Sequence, residues 1–228
     1  MLKTSCAFAT IASAWQLPGL IPKNYEKGTN LDIMVGQLES QRSSFTFDYY
    51  MLNWCDNGHG MAYDPAKYGT TLTGTPLHES PFDHKFGYDQ NVKVCTKTFT
   101  QGEKEQFSFM MQHNFGYTLY LDNLPSATIL RDSQDREMAP DYGKGIPVGK
   151  FEGLGKIMLY NHLDITVIVH DTIEGHHRIV GFEVEPFSLA EDQHRAANNP
   201  QSSSGPLYLK EGQEVTFSYR IISRVSLF

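Results

Sequence analysis

The sequence has little of what most functional classes require. It carries three cysteines and two tryptophans in 228 residues, and no Asn-x-Ser/Thr triplet, so no N-glycosylation acceptor marks it for a lumenal address. It has no basic excess: 19 Lys and Arg stand against 26 Asp and Glu, a net charge of −7. Nucleic acid as a main partner is thereby excluded, because nothing is available to neutralise a phosphate backbone. It also lacks a membrane-spanning run. The longest uncharged stretch, Thr4 to Pro22, is broken by Pro18, Gly19 and Pro22 and is largely small or polar.

The common catalytic signatures are missing too. His78-Glu79 is followed by Phe82 where a zinc-binding helix needs its second His, and no Gly-x-Ser-x-Gly or Cys-x-x-Cys occurs. The Gly-Lys pairs at 143–144, 149–150 and 155–156 lack the spacing and the Ser/Thr of a phosphate loop, and read as turns. No catalytic residue, metal ligand, cofactor or small-molecule substrate is indicated.

What is present is apolar and aromatic: 14 Phe, 12 Tyr and 2 Trp, ample for a core. Alternating runs predict strands at Leu31-Ile33-Val35, Phe45-Phe47-Tyr49, Phe82-His84-Phe86-Tyr88 and Val92 to Lys97. Further runs are Tyr117-Leu119-Leu121, Leu163-Ile165-Val167-Val169, Val180-Phe182-Val184 and Val215-Phe217-Tyr219-Ile221. Such period-2 patterns rich in β-branched and aromatic residues are those of half-buried strands. One helix is predicted: Thr100-Gln101-Gly102-Glu103 fits a capping box, with Phe107, Met110, Met111 and Asn114 as its inward stripe. About eight strands and one short helix imply a mainly β fold, an antiparallel β-sandwich of jelly-roll type. Asn57 to Pro76 reads as a long loop and 191–206 as a polar flexible loop.

The N-terminus resembles a secretion signal. Met1-Leu2-Lys3 is a positive start, Cys6 to Ala12 a modest apolar run, and Ala12-Ser13-Ala14 a small-x-small site, so residues 1–14 are expected to be removed before Trp15. Cys55 and Cys95 would then be the two remaining cysteines, either bridged, as an oxidising lumen favours, or two buried free thiols. Chain entropy assigns a bridge over that loop about 4 kcal/mol.

Two histidine groups invite comparison with a site. His176-His177 follow Gly175 between two strong strands, at the expected tip of a hairpin; they are either solvated turn residues or a pH-sensitive turn. His162, Asp164 and His170 alternate along one strand and would share a face, but with no nucleophile beside them they read as a polar sheet surface.

Several blocks in order resemble the lumenal N-terminal domain of the nonaspanins, the transmembrane 9 superfamily. They begin with Leu17-Pro18-Gly19 and Pro22, Tyr25 and Gly28, continue through Asp48-Tyr49-Tyr50 with Cys55, and include Glu79-Ser80-Pro81-Phe82 and Val94-Cys95 with Lys97-Thr98. Leu121-Asp122-Asn123-Leu124-Pro125 and Gly145-Ile146-Pro147-Val148-Gly149 follow. Tyr160-Asn161-His162-Leu163-Asp164 and Arg178 through Pro186 are the most specific.

The resemblance implies a Golgi and endosomal membrane protein whose residues 15–228 form a lumenal β-rich domain, with sorting of membrane-protein cargo as its task and no catalysis. Its implied partners are that cargo and the family's own membrane domain, whose nine helices are absent after Phe228. A short chain that is a genuine product would be secreted. Three departures from the family pattern stand out: Asn91 replaces the first of a cysteine pair four residues apart, Gln16 replaces an aromatic, and the chain stops before the first membrane helix. A secreted carbohydrate- or protein-binding sandwich, with exposed Tyr and Trp as stacking surfaces, is the alternative.

Overall fold

The computed structural model describes residues 23–56, 76–130, 141–153, 155–172, 175–190 and 206–226. The expected signal segment 1–14, the Leu17-Pro18-Gly19 opening, nearly all of the 57–76 loop and nearly all of the 191–206 loop lie outside them. In chain order the elements are β1 (Asn30–Val35), β2 (Leu38–Ser40), β3 (Thr46–Phe47), β4 (His78–Lys85), β5 (Gln90–Thr98) and the helix α1 (Gln101–Gln112). Then come β6 (Phe115–Tyr117), β7 (Leu119–Leu121), β8 (Leu124–Pro125), β9 (Ala127–Leu130), β10 (Asp141–Gly143) and β11 (Ile146–Pro147). The series closes with β12 (Gly149–Gly153), β13 (Lys156–Leu159), β14 (His162–Asp171), β15 (His177–Phe187) and β16 (Glu214–Val225).

The strands form a six-stranded sheet, β10-β9-β15-β14-β16-β5, two four-stranded sheets, β4-β1-β7-β8 and β11-β6-β2-β3, and a β12-β13 ribbon. The fold is thus mainly β with one helix, as its alternating sequence predicts. Pairing is antiparallel apart from β9 with β15 and β14 with β16. A parallel neighbour needs a crossover of a dozen residues or more; for β14 and β16 it is formed by β15 and the chain from there to Glu214.

One core unites the sheets and buries 12 of the described aromatic side chains. Tyr49 stacks on Trp54 at 5.4 Å, Trp54 meets Phe107 edge-on at 5.0 Å, and Phe107 meets Phe99 at 5.3 Å. Trp54 is 5 % exposed, so it offers no stacking surface to a sugar. Beside this cluster Cys55 and Cys95 form a disulfide, with Cα atoms 5.8 Å apart, tying the segment after β3 to β5. Neighbouring Asn53 donates to Glu103 of α1 at 2.7 Å and accepts from Lys97 of β5 at 3.1 Å.

Local signals are realised closely at the helix. Thr100 Oγ1 accepts from the Glu103 N–H, and the Glu103 carboxylate accepts from the Thr100 N–H at 2.7 Å. Phe107, Met110 and Met111 are buried, but Asn114 is not part of that stripe: it lies beyond the helix end with φ +53°, a left-handed position that Asn tolerates.

Four strand expectations need correction, the first at Phe86 and Tyr88: β4 ends at Lys85, and Tyr88 lies beyond the turn that follows, 48 % exposed. Phe45-Phe47-Tyr49 is not one face of a strand. Pairing covers only Thr46–Phe47, Phe45 is 73 % exposed, and Tyr49 begins a 3-10 turn capped by Asp48, whose carboxylate accepts from the Tyr50 N–H at 2.8 Å. Tyr117-Leu119-Leu121 divides between two sheets. Here β1–β2 and β6–β7 change sheets together, joined by a bond from Gly36 N–H to Thr118 O, and a Cβ at Gly36 would stand 3.2 Å from the Tyr120 ring. Val180 faces solvent rather than joining Phe182 and Val184, because β15 holds an extra residue where Ile168 pairs Gly181 and Val169 pairs Ile179.

Candidate functional site

The cross-strand register brings the two most specific motif blocks together. Tyr160 to Asp164 and Arg178 to Pro186 lie on β14 and β15 and the chain just before them, and face one another directly: Leu163 opposite Pro186, Asp164 opposite Glu185, Ile165 opposite Val184. Asn161 is buried at the start of this hairpin. Its amide donates to Leu189 O and to Thr216 O, both at 2.9 Å, and its carbonyl accepts from the Leu189 N–H at 2.8 Å. One side chain therefore fastens β14 to β16 and to the chain leaving β15.

His162 adds a serine that sequence spacing could not place. Its Nδ1 hydrogen-bonds with Ser218 Oγ at 2.7 Å, and its Nε2 with Asp164 at 3.2 Å, while Arg220 stands 4.0 Å from the same carboxylate. The order Ser–His–Asp has the connectivity of a hydrolytic triad. Yet His162 is 2 % and Ser218 6 % exposed, and the adjoining cavity, about 20 Å³, holds at most one water. The geometry leaves no room for a substrate there. His170, grouped with them on sequence, lies eight residues on, roughly 26 Å along an extended strand.

His176 and His177 do sit at the β14–β15 turn. Thr172 N–H donates to His176 O at 2.8 Å, and His177 Nδ1 lies 2.5 Å from the Asp171 carboxylate. His177 also carries a strap: its carbonyl accepts from the Tyr25 N–H at 2.8 Å, and its ring packs 5.6 Å from Phe86. Arg178 next to it donates to Asn24 at 2.8 Å.

The other motif blocks are also structural devices. Glu79-Ser80-Pro81-Phe82 is an irregularity in β4, where Ser80, Pro81 and Phe82 stand against Ile33 alone between the Met34–Glu79 and Asp32–Asp83 pairs. The Ser80 hydroxyl donates to the Ile33 carbonyl at 2.6 Å, and a proline fits because β4 is an edge strand. Tyr50, in the Asp-Tyr-Tyr block, donates its hydroxyl to Glu79 O at 2.6 Å. Asp122 and Asn123 form the β7–β8 turn with φ of +49° and +64°, as a two-residue hairpin requires. At Gly149 a Cβ would collide with Met158 O and the end of Met111.

A large concavity among the described residues is a cleft of about 780 Å³ over the β4-β1-β7 sheet. The strap at Asn24–Tyr25 and the Asp122–Asn123 turn form its walls, and the buried Met34, Phe82 and Leu121 lie beneath it. Asp32, Glu79, Asp83 and Asp122 line it, with Lys23 the one cation. Asp32 and Asp83 are direct cross-strand partners, both exposed. Burial pushes the Tyr25 hydroxyl well above its usual range, and the Asp122 and Asp32 carboxylates add to the effect. Sequence reading missed this cleft. Alternation with Leu31 and Ile33 does turn Asp32 outward, but the register that sets it against Asp83 joins residues 51 positions apart.

The described residues contain no helix long and apolar enough to cross a membrane and no cluster of His, Cys, Asp and Glu able to hold a metal ion. Residues 46–226 match the family described as Endomembrane protein 70. The chain is 30 % identical over 90 % of its length to transmembrane 9 superfamily member 10 of Arabidopsis thaliana, and 31 % identical over 89 % to a transmembrane 9 superfamily protein of Schizosaccharomyces pombe. It is 28 % identical over 78 % of its length to human transmembrane 9 superfamily member 4. It spans about a third of the length of these relatives, 35 %, 33 % and 30 % respectively. The matching blocks, now seen as cross-strand partners, turns and buried anchors of one β fold, agree with that match: the chain belongs to the Endomembrane protein 70 family, the transmembrane 9 superfamily.

Proposed function

We propose that this chain is a lumenal recognition domain of a Golgi or endosomal membrane protein, acting without catalysis in the sorting of membrane-protein cargo. The observation that carries the reading is the family match across nearly all of the described β fold. The disulfide beside the aromatic core supports a lumenal address, since such bridges persist in oxidising compartments. The burial of Ser218 and His162 supports a task other than hydrolysis. Its partners are cargo and the membrane domain of its family, with recognition placed on the outer surface of the sheets.

The test is protease protection in intact microsomes from cells expressing the chain with an epitope tag. Protection that is lost on adding detergent is expected; digestion without detergent overturns the lumenal placement. Loss of the protein should also shift the surface-to-internal ratio of membrane reporters, and an unchanged ratio across a reporter panel overturns the sorting role. A pH-sensitive His176–His177 turn stands as a proposal beside it. His177 faces Asp171 and Phe86 and carries the Tyr25 strap, with Arg178 adjoining. A His176→Asn/His177→Asn variant that keeps the parent's profile of stability against pH removes that idea.

A further inference from the structure

The start of β1 and the end of β4 reach beyond the rest of their sheet. Because β7 pairs with β1 only from Ile33 to Val35, Asn30, Leu31 and Asp32 have β4 as their one strand neighbour among the described residues, through Lys85, His84 and Asp83. The irregularity opposite Ile33 separates these three pairs from Met34–Glu79 and Val35–His78. Gly28 N–H donates to Phe86 O at 2.9 Å and Phe86 N–H to Thr29 O at 2.8 Å, which carries the ribbon on towards the strap. Residues 24–32 and 83–86 thus form a two-stranded flap with the irregularity at its root. Such a ribbon is marginal by itself in water, so what it covers must hold it in place.

The underside of the flap is Tyr25, Leu31, His84 and Phe86, all buried. Its margins are tied by Tyr25 N–H to His177 O at 2.8 Å, by Arg178 to Asn24 at 2.8 Å, and by the Tyr219 hydroxyl to Asp83 O at 2.6 Å. The Phe86 ring lies 5.7 Å from that of Tyr25 and 5.6 Å from that of His177. Among these neighbours His84 is the polar exception: it is 3 % exposed, and neither ring nitrogen meets a hydrogen-bond partner among the described residues. Facing it, β1 presents Leu31, while Asp32 is turned outward. Asp89 of the turn after β4 and Gln90 of β5 stand close and favour its charged form, but burial outweighs them. Tyr219 of β16 bonds the adjoining Asp83 carbonyl, and His177 of β15 stands beyond Phe86. A neutral imidazole is tolerated in such a place, whereas an imidazolium must regain water.

We propose that protonation of His84 lifts this flap, so that residues 24–32 and 83–86 open in mildly acid solution while the rest of the fold persists. The flap is the part that gives way because its pairing stops at its root and the buried imidazole lies on its underside. Opening exposes Tyr25, Leu31 and Phe86, an apolar surface that is covered at neutral pH. The device is distinct from the His176–His177 turn, and it depends neither on a lumenal address nor on a role in sorting.

The test is native-state hydrogen exchange on the full 228-residue chain at pH 7 and pH 5, corrected for the intrinsic exchange rate at each pH. The Gly28 and Phe86 amides report the flap, and the Ile165 and Val167 amides the centre of β14. Flap amides should exchange faster than those of β14 at both pH values and lose about tenfold in protection on acidification. An ordinary pKa of about 6.5 in the lifted state sets a ceiling of about 25-fold. His84→Leu should remove most of that loss, and His177→Asn should keep it. Unchanged flap protection at pH 5 overturns the proposal. Equal protection of flap and β14 at pH 5 also overturns it, since His84 would then be released only with the whole fold. A loss that persists in His84→Leu, or vanishes in His177→Asn, places the trigger elsewhere and overturns it as well. The first two outcomes are read on the parent chain, so they decide the matter even where a variant fails to fold.

Discussion

At the residue scale, buried polar side chains decide more than their number implies. Asn161 satisfies three backbone groups from two different segments. Asn161→Ala would strip all three of a partner inside the core, and buried polar groups left unpaired are costly. A loss of about 2–4 kcal/mol in urea unfolding is expected. His84, on the inward face of β4, is a second case. Burial lowers its pKa below the ordinary 6.5, and the nearby Gln90 and Asp89 offset only part of that. Above pH 6.5 the imidazole is neutral in both folded and unfolded chains. As pH falls through 6.5 the unfolded chain takes up a proton that the folded one resists, so unfolding becomes easier until the lower folded pKa is reached. Stability should therefore decline from pH 7 towards about pH 5. His84→Leu should flatten that slope in thermal melts taken across the range; an equal slope would show that other groups cause it.

At the element scale, the helix is the part most fully written in local sequence. Its capping box is satisfied in both directions between Thr100 and Glu103. Thr100→Ala should cost about 1 kcal/mol, read as a lower urea midpoint with an unchanged slope. The strands were legible in proportion to their length. β14 and β16 announced themselves through four alternating apolar residues each. The two- and three-residue strands β2, β8 and β11 carry too few residues for any period to show. Phe45-Phe47-Tyr49 misled because an alternating triple can end in a capped turn as readily as continue a ladder. Asp48, which supplies the cap, stands inside that triple.

At the scale of the whole molecule, three sheets and one helix share a core, so long-range ties matter. The Cys55–Cys95 bridge joins residues 40 apart, linking the aromatic cluster to the edge strand β5. Its removal in a Cys55→Ser/Cys95→Ser variant should lower stability by up to about 4 kcal/mol, measured by urea unfolding of both proteins under non-reducing conditions. The Asn24–Tyr25 strap, held by His177 and Arg178, is another such tie. It brings the first described residues beside the cleft and so shapes one of its walls.

By itself the sequence determined the mainly β class, the single capped helix, the outward or inward direction of most strand residues, and the family to which the ordered blocks belong. All of these follow from patterns spanning ten residues or fewer, or from the order of such patterns along the chain. The tertiary structure alone decided that Ser218 meets His162, that Asp32 opposes Asp83, and that Tyr117 and Leu119 serve different sheets. Those outcomes depend on the pairing register between distant strands. Register is set by the packing of the whole core, and no local stretch of side chains encodes it.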